Sequence, residues 1–228
     1  MNQARAEELA KKLQISPEQV AREEYELFFL RDLFGSSFGP SLVFKGGTAL
    51  RLAYGSPRFS DDLDFSILKR INTEKFVKVI QGIGNRYPTV RISDARRKKN
   101  TLFALIKIKE EFLPLAFSIK IEISARTVGW ETEVDYLVKT LASEVTPVAV
   151  VGQTASLLRI KKDKQLAIKT RKKGRDLYDL WFVNSQLGEE FKIPRHKLSL
   201  KELKMELNKL LPLNERYVVE QLVFKGKQ

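Results

Sequence analysis

Lys45-Gly46-Gly47-Thr48-Ala49-Leu50, followed after a short interval by Arg58-Phe59-Ser60-Asp61-Asp62-Leu63-Asp64-Phe65, is the stretch on which the reading of this chain turns. Ser41 to Lys45 is a short apolar strand, Gly46-Gly47 breaks it, and Thr48 to Tyr54 has the composition of a helix. The grammar is strand, glycine turn, helix. Free N–H groups at such a helix start can receive phosphate oxygens, with the Thr48 hydroxyl assisting. Asp64 to Leu68 reads as the next strand. Residues two apart in a strand share a face, so Asp62 and Asp64 present two carboxylates side by side. Like charges so close repel unless a cation lies between them, and Mg²⁺, which also engages phosphates, suits that place. An isolated Asp-x-Asp in a solvated turn is the ordinary alternative, and the glycines beside it argue for a phosphate cradle followed by a metal clamp. The spaced Gly-Lys-Ser/Thr ending of a Walker loop is missing.

Outward from this stretch, Ser16-Pro17-Glu18-Gln19 has the form of a capping box opening a helix that runs to Gly35. Asn72 to Arg86 is an amphipathic helix, and Thr89 to Ser93, Leu102 to Lys109 and Ala116 to Ser124 alternate as half-buried strands. In the last, Phe117, Ile119, Ile121 and Ile123 face one way and Ser118, Lys120, Glu122 and Ser124 the other. The basic run Arg96-Arg97-Lys98-Lys99-Asn100 fits a hairpin tip. After Pro147 and Gly152, Thr154 to Lys172, Arg175 to Leu187, Leu200 to Leu211 and Glu215 to Phe224 all read as helices, with no strand among them. The expected fold is therefore α/β in the α+β sense: a small mixed sheet with flanking helices, residues 1–150, followed by a helical C-terminal portion, residues 151–228.

The chain has 228 residues, 43% of them apolar and 10% aromatic, enough to bury a core and to exclude a disordered polymer. Lys plus Arg number 41 against 28 Asp plus Glu, a formal charge of +13 that attracts polyanions, nucleic acid or an anionic membrane surface. There is no cysteine, which excludes disulfides, thiol nucleophiles and thiolate metal sites, and the lone His196 argues against zinc. Asn2 to Leu13 lacks the apolar block of a secretory signal, and no apolar run is long enough to span a membrane. A cytoplasmic protein without a membrane partner is expected.

Further along lie Lys164, Arg171 and the block Gly174-Arg175-Asp176-Leu177-Tyr178-Asp179-Leu180. Taken with the two earlier blocks, these make the sequence resemble the AbiEii-type nucleotidyltransferases, toxin components of abortive-infection and related toxin-antitoxin systems in the polymerase-beta-like nucleotidyltransferase superfamily. The resemblance covers roughly residues 40 to 185. It implies a nucleotidyltransferase-type sheet, with the C-terminal helices completing the cleft. The implied activity is transfer of a nucleoside monophosphate from an NTP to an acceptor with release of pyrophosphate. Asp62 and Asp64 would hold Mg²⁺, as two ions, which suits in-line attack on an alpha-phosphate. Glu122 is the candidate third carboxylate, as metal ligand or as base, with a plain surface pair to Lys120 as its other reading. Lys164 would steady the departing pyrophosphate, and Asp176, which could cap its helix or pair with a base of the preceding one, is placed by the resemblance at the active site. Asp179 reads as structural.

Gly46, Gly47 and Thr48 form the expected nucleotide cradle. Lys45 and Arg58 flank it, to contact phosphates or to pair with Asp61. A broader basic surface, Arg96 to Lys99 and Arg159 to Arg175, would meet a larger acceptor. The resemblance points to tRNA or another RNA, and to a cognate antitoxin. A second reading is a catalytically idle RNA-binding or antitoxin-partnering protein on the same fold.

Overall fold

The computed structural model describes residues 1–127 and 129–223. Among them, seven strands form one mixed sheet in the order β3-β4-β5-β2-β1-β7-β6. The strands are β1 (Leu42–Lys45), β2 (Asp62–Ile67), β3 (Val90–Lys98), β4 (Thr101–Ile108), β5 (Phe117–Thr127), β6 (Tyr136–Ser143) and β7 (Thr146–Ala155). β2 runs parallel to β5 and β1 parallel to β7, and the other neighbours are antiparallel. The helices are α1 (Gln3–Leu13), α2 (Pro17–Phe34), α3 (Gly46–Tyr54), α4 (Thr73–Arg86), α5 (Leu157–Thr170), α6 (Gly174–Gln186), α7 (Leu200–Leu207) and α8 (Val218–Gln221).

Alternation along the strands gives two main cores, one on each face of the sheet, and a smaller third cluster gathers Leu9, Ala10, Ile15, Val20, Phe59 and Val145. Leu42, Phe44, Leu63, Phe65, Ile119, Ile121 and Ile123 point toward α2 and α4 and join the larger core. Val43 points the other way, into the core built by α3, α5, α6, α7 and α8. Lys45, Asp62, Asp64, Lys120 and Glu122 lie on that second face by the same alternation. The hydrophobic pattern of three strands thus fixes which side of the sheet carries the polar groups.

Several sequence expectations are corrected. No strand is expected beyond Ser124, yet β6 and β7 form an antiparallel pair that adds two strands to the sheet. Thr154 and Ala155, expected to start a helix, end β7; Ser156 follows as N-cap, its side chain accepting from the Arg159 N–H. Pro147, read with Gly152 as where the chain turns helical, falls within β7 at the register shift between Leu141 and Ser143, where its missing N–H interrupts no ladder pair. The helical part of the chain begins at Leu157, and β7 carries the sheet across residue 150. Arg96, Arg97 and Lys98 belong to the edge strand β3, leaving only Lys99 and Asn100 in the turn. Positive charge along an edge discourages further strand pairing. Of the last expected helix, Val218–Gln221 is helical, and its predicted end, Phe224, lies outside the described residues.

The box at Ser16 is half formed. Ser16 accepts from the Gln19 N–H with Pro17 at the first helical position, but the Gln19 amide donates to Asp61 Oδ1 at 3.1 Å instead of returning to Ser16. That bond ties α2 to the segment leading into β2.

Candidate active site

Register places the polar groups in two rows. Lys45 on β1, Asp64 on β2 and Glu122 on β5 are successive cross-strand neighbours, and Asp62 is paired with Lys120. Three carboxylates and two ammonium groups therefore share a small patch of one sheet face. The Lys120 ammonium stands between Asp62 and Glu122, 3.2 Å from Asp62 Oδ2 and 3.3 Å from Glu122 Oε2. Burial pulls its pKa down, but the Asp62 and Glu122 carboxylates outweigh burial and raise it overall. Asp64 is different: among the described residues its carboxylate makes no ion pair and accepts no hydrogen bond. Desolvation first, then the charges of Asp62 and Glu122, push its pKa up.

Opposite this patch, α5 presents a stripe. Ile160, Asp163, Lys164 and Ala167 recur at helical spacing, and together with Arg171, the C-cap of α5, and Lys45, Gly46 and Asp64 they line a cleft of about 190 Å³. A narrower recess continues from it, about 60 Å³, among Gly47, Ser60, Asp62, Asp64, Lys120, Glu122, Lys164, Arg171 and others. Lys45 stands at the mouth, 4.0 Å from Asp163.

Behind the cleft lies a buried ladder of alternating charge. Arg171 holds Asp176 with two bonds, Nε to Oδ2 at 2.7 Å and Nη2 to Oδ1 at 2.9 Å. Lys164 bonds Asp176 Oδ1 at 2.9 Å and Asp179 Oδ2 at 2.6 Å. Asp179 in turn receives Nε and Nη2 of Arg58 at 2.8 and 3.0 Å. Both aspartates are fully buried, and desolvation alone would raise their pKa values. The hydrogen bond from Arg171 and the charge of Lys164 outweigh it at Asp176, and Arg58 with Lys164 outweighs it at Asp179, so both are lowered. An ammonium has three donors, and the ladder uses two of those on Lys164. Lys164 itself lines the cleft.

The cradle residues take up positions that composition alone does not reveal. Gly46 has φ +87°, and a Cβ there would lie 2.9 Å from Asp64 Oδ2, so the backbone at the start of α3 and the Asp64 carboxylate are in close approach. No side chain caps α3. A Cβ on Gly47 would fall 2.1 Å from Arg58 Nη2; that glycine makes room for the guanidinium. Thr48 is fully buried and its hydroxyl donates to the Asp62 carbonyl, locking α3 to β2 rather than facing the cleft. Arg58, 1% exposed, is bound to Asp179 and to the Phe59 carbonyl, not to Asp61. Asp176 sits behind Lys164 and Arg171. Of the residues expected at the site, Lys45, Gly46, Gly47, Asp62, Asp64, Glu122 and Lys164 are brought together around one cleft. Arg58, also at the edge of the recess, Thr48 and Asp176 support it from within.

Sequence reasoning passed over Asp163 and gave Arg171 a place in the resemblance but no role of its own. A signal for Asp163 was there: it precedes Lys164 and is three residues from Ile160 and four from Ala167, the spacing of one helix face. Lys120 and Asp179 were visible only as partners, because their importance comes from contacts made across strands and helices distant in sequence.

The model of the family described as nucleotidyl transferase AbiEii toxin, type IV toxin-antitoxin system, matches residues 29–225. The chain belongs to this AbiEii family. Its blocks at 45–50, 58–65 and 164–180 all fall inside the match. Among solved structures, JHP933 from Helicobacter pylori is similar at 25% identity and a TM-score of 0.56, over 78% of this chain and 71% of that one. The AbiEii chain also shares its fold with MenT4, a nucleotidyltransferase toxin from Mycobacterium tuberculosis H37Rv, at 21% identity and a TM-score of 0.56, over 82% of this chain and 62% of that one. No curated protein matches. Among the described residues no helix is long and apolar enough to cross a membrane.

The carboxylates of Asp62, Asp64 and Glu122 offer the all-oxygen donors that Mg²⁺ prefers, and in kind they fit such an ion. Among the described residues no three acidic or histidine groups close round a metal as they stand, and the Lys120 ammonium fills the space between two of the candidates.

Proposed function

We propose that this AbiEii-family nucleotidyltransferase moves a nucleoside monophosphate from an NTP to an RNA acceptor, with tRNA the acceptor class and a cognate antitoxin as its protein partner. The observation that carries this reading is the cleft itself: a row of carboxylates on β2 and β5 faces Lys164 on α5 and Arg171 at its C-cap across a space that reaches the uncapped start of α3. The sheet and its N-terminal helices form the catalytic unit, and the helical part from Leu157 onward completes the cleft.

Asp62 and Asp64 would hold Mg²⁺, with Glu122 as a third ligand or as the base that accepts the acceptor's hydroxyl proton. The metal, when bound, neutralises charge on the entering and leaving oxygens of the alpha-phosphate. The third donor of Lys164 is available to the pyrophosphate as negative charge moves onto it, a contribution of about 3 kcal/mol for a well-placed cation. Asp176 and Asp179 hold that ammonium in place and aim it. Lys45 and Arg171 bracket the phosphates from either side of the cleft.

The test is incubation with labelled NTPs, Mg²⁺ and total RNA, asking which species gains label. Label on one RNA class, lost in Asp64→Ala, is the expected result. An idle RNA-binding scaffold gives no label while its RNA binding survives chelation and weakens with salt.

A further inference from the structure

The far side of Arg171 opens into a second cavity, of about 270 Å³, formed by the end of α5, the link to α6 and the connection between α6 and α7. Leu177 and Leu198 contribute an apolar floor. Six cationic side chains surround it, Lys172, Arg195 and Lys197 among them, and no carboxylate lines it. His196 anchors the connection: its Nδ1 accepts from the Leu198 N–H at 3.1 Å, so its Nε2 donates to the Leu222 carbonyl at 2.9 Å. Among the described residues, Lys172, Arg195 and Lys197 make no ion pair.

Arg171 is paired with Asp176 and Lys172 feels Glu202, but the cations still outnumber the carboxylates near them and repel one another, a cost that a bound polyanion reduces. The absence of carboxylates separates this cavity from the cleft, because a metal–triphosphate complex needs ligands for its metal and none lines this cavity. An apolar floor under a cationic rim suits a base stacked or packed below and phosphates held above. A cavity of this volume admits a single nucleotide and excludes a duplex. Arg171 lines both cavities, so the second adjoins the cleft that holds Asp64 and Lys164.

We propose that this cavity is the acceptor subsite, taking the single-stranded end of a nucleic acid and leading its hydroxyl past Arg171 into the cleft. The inference rests on the nucleotidyltransferase reading for its direction, and its test reads binding separately from transfer. Anisotropy of a short labelled single-stranded RNA of mixed sequence is compared for the wild type and the triple variant Lys172→Ala, Arg195→Ala, Lys197→Ala, three exposed positions whose loss leaves the core intact. RNA affinity is expected to fall at least about tenfold, and the salt slope to shrink by about 2, as three phosphate contacts disappear. Mg–ATP affinity should stay within about twofold, and duplex RNA should compete poorly. Unchanged RNA affinity, a parallel loss of Mg–ATP binding, or equal competition by duplex overturns the proposal. If the wild type transfers no nucleotide but its RNA binding still depends on these residues, the subsite stands as a nucleic-acid site and the enzymatic reading fails.

Discussion

Arg58 and Asp179, 121 positions apart in the chain, meet in the interior as a two-pronged ion pair, each no more than 1% exposed. This bond fastens the segment before β2 to α6 and so sets the distance between the carboxylate row and the α5 stripe. A buried charge that loses its partner is costly. Asp179→Ala strands Arg58 and leaves Lys164 with Asp176 alone, and should lower unfolding free energy by about 3–5 kcal/mol. Urea unfolding measures this. The double variant Arg58→Met, Asp179→Leu should recover most of the loss, because neither charge is then left alone.

Acid should weaken the molecule through the same ladder. Asp176 and Asp179 have pKa values below the ordinary carboxylate range in the folded chain, so unfolding brings proton uptake in acid. Their contribution is complete above the unfolded value of about 4 and is lost as pH falls from there through their lowered values. Thermal unfolding should show a Tm that drops steeply below about pH 4, and a smaller drop in Asp176→Asn, which has one fewer carboxylate to protonate. A Tm equally steep in that variant would remove Asp176 from the account.

Lys120 competes for the place that a divalent ion would take. With its ammonium between Asp62 and Glu122, any metal must displace it or share the carboxylates with it. Lys120→Met removes two partly exposed ion pairs, each worth up to about 1 kcal/mol. Metal affinity, read from the paramagnetic signal of free Mn²⁺, is expected to tighten about tenfold. Unchanged affinity would mean that the ammonium leaves at no cost.

The sheet face that bears the site was legible in the sequence because alternation is local: Phe117, Ile119, Ile121 and Ile123 on one side require Lys120 and Glu122 on the other. Asp62 and Asp64 follow from the same rule. β6 and β7 were not legible. Val138 and Val151 lie more than half exposed, so the apolar residues of this pair do not mark a single buried face, and Pro147 and Gly152 read as the start of the helical part. The Gly152 position is explained only by packing, since a Cβ there would lie 2.5 Å from the Phe34 ring. Roles that depend on pairing at long range were also hidden. Nothing near Arg58 in the sequence says that it meets Asp179, and the readings of Arg58 and Thr48 as phosphate contacts gave way to buried structural bonds for that reason.

Two adjacent glycines should fail differently when replaced. Gly46→Ala forces an L side chain into φ +87° and drives its Cβ against Asp64 Oδ2, so about 1–3 kcal/mol of strain appears together with a displaced carboxylate. Nucleotide transfer should fall much further than stability does. Gly47→Ala instead drives a methyl group into Arg58, whose guanidinium cannot retreat because Asp179 holds it and the core surrounds it. The cost is of overpacking type, about 1–3 kcal/mol, and appears mainly as lost stability. Arg58→Met clears most of that space, leaving Ser60 Oγ at 2.9 Å from the added Cβ, so the pair Gly47→Ala, Arg58→Met should be non-additive, with the glycine change costing less once the guanidinium is gone. A double-mutant cycle by urea unfolding decides the matter: additive losses would show that Gly47 serves something other than room for Arg58, and the direct approach of a phosphate to the start of α3 would then account for it.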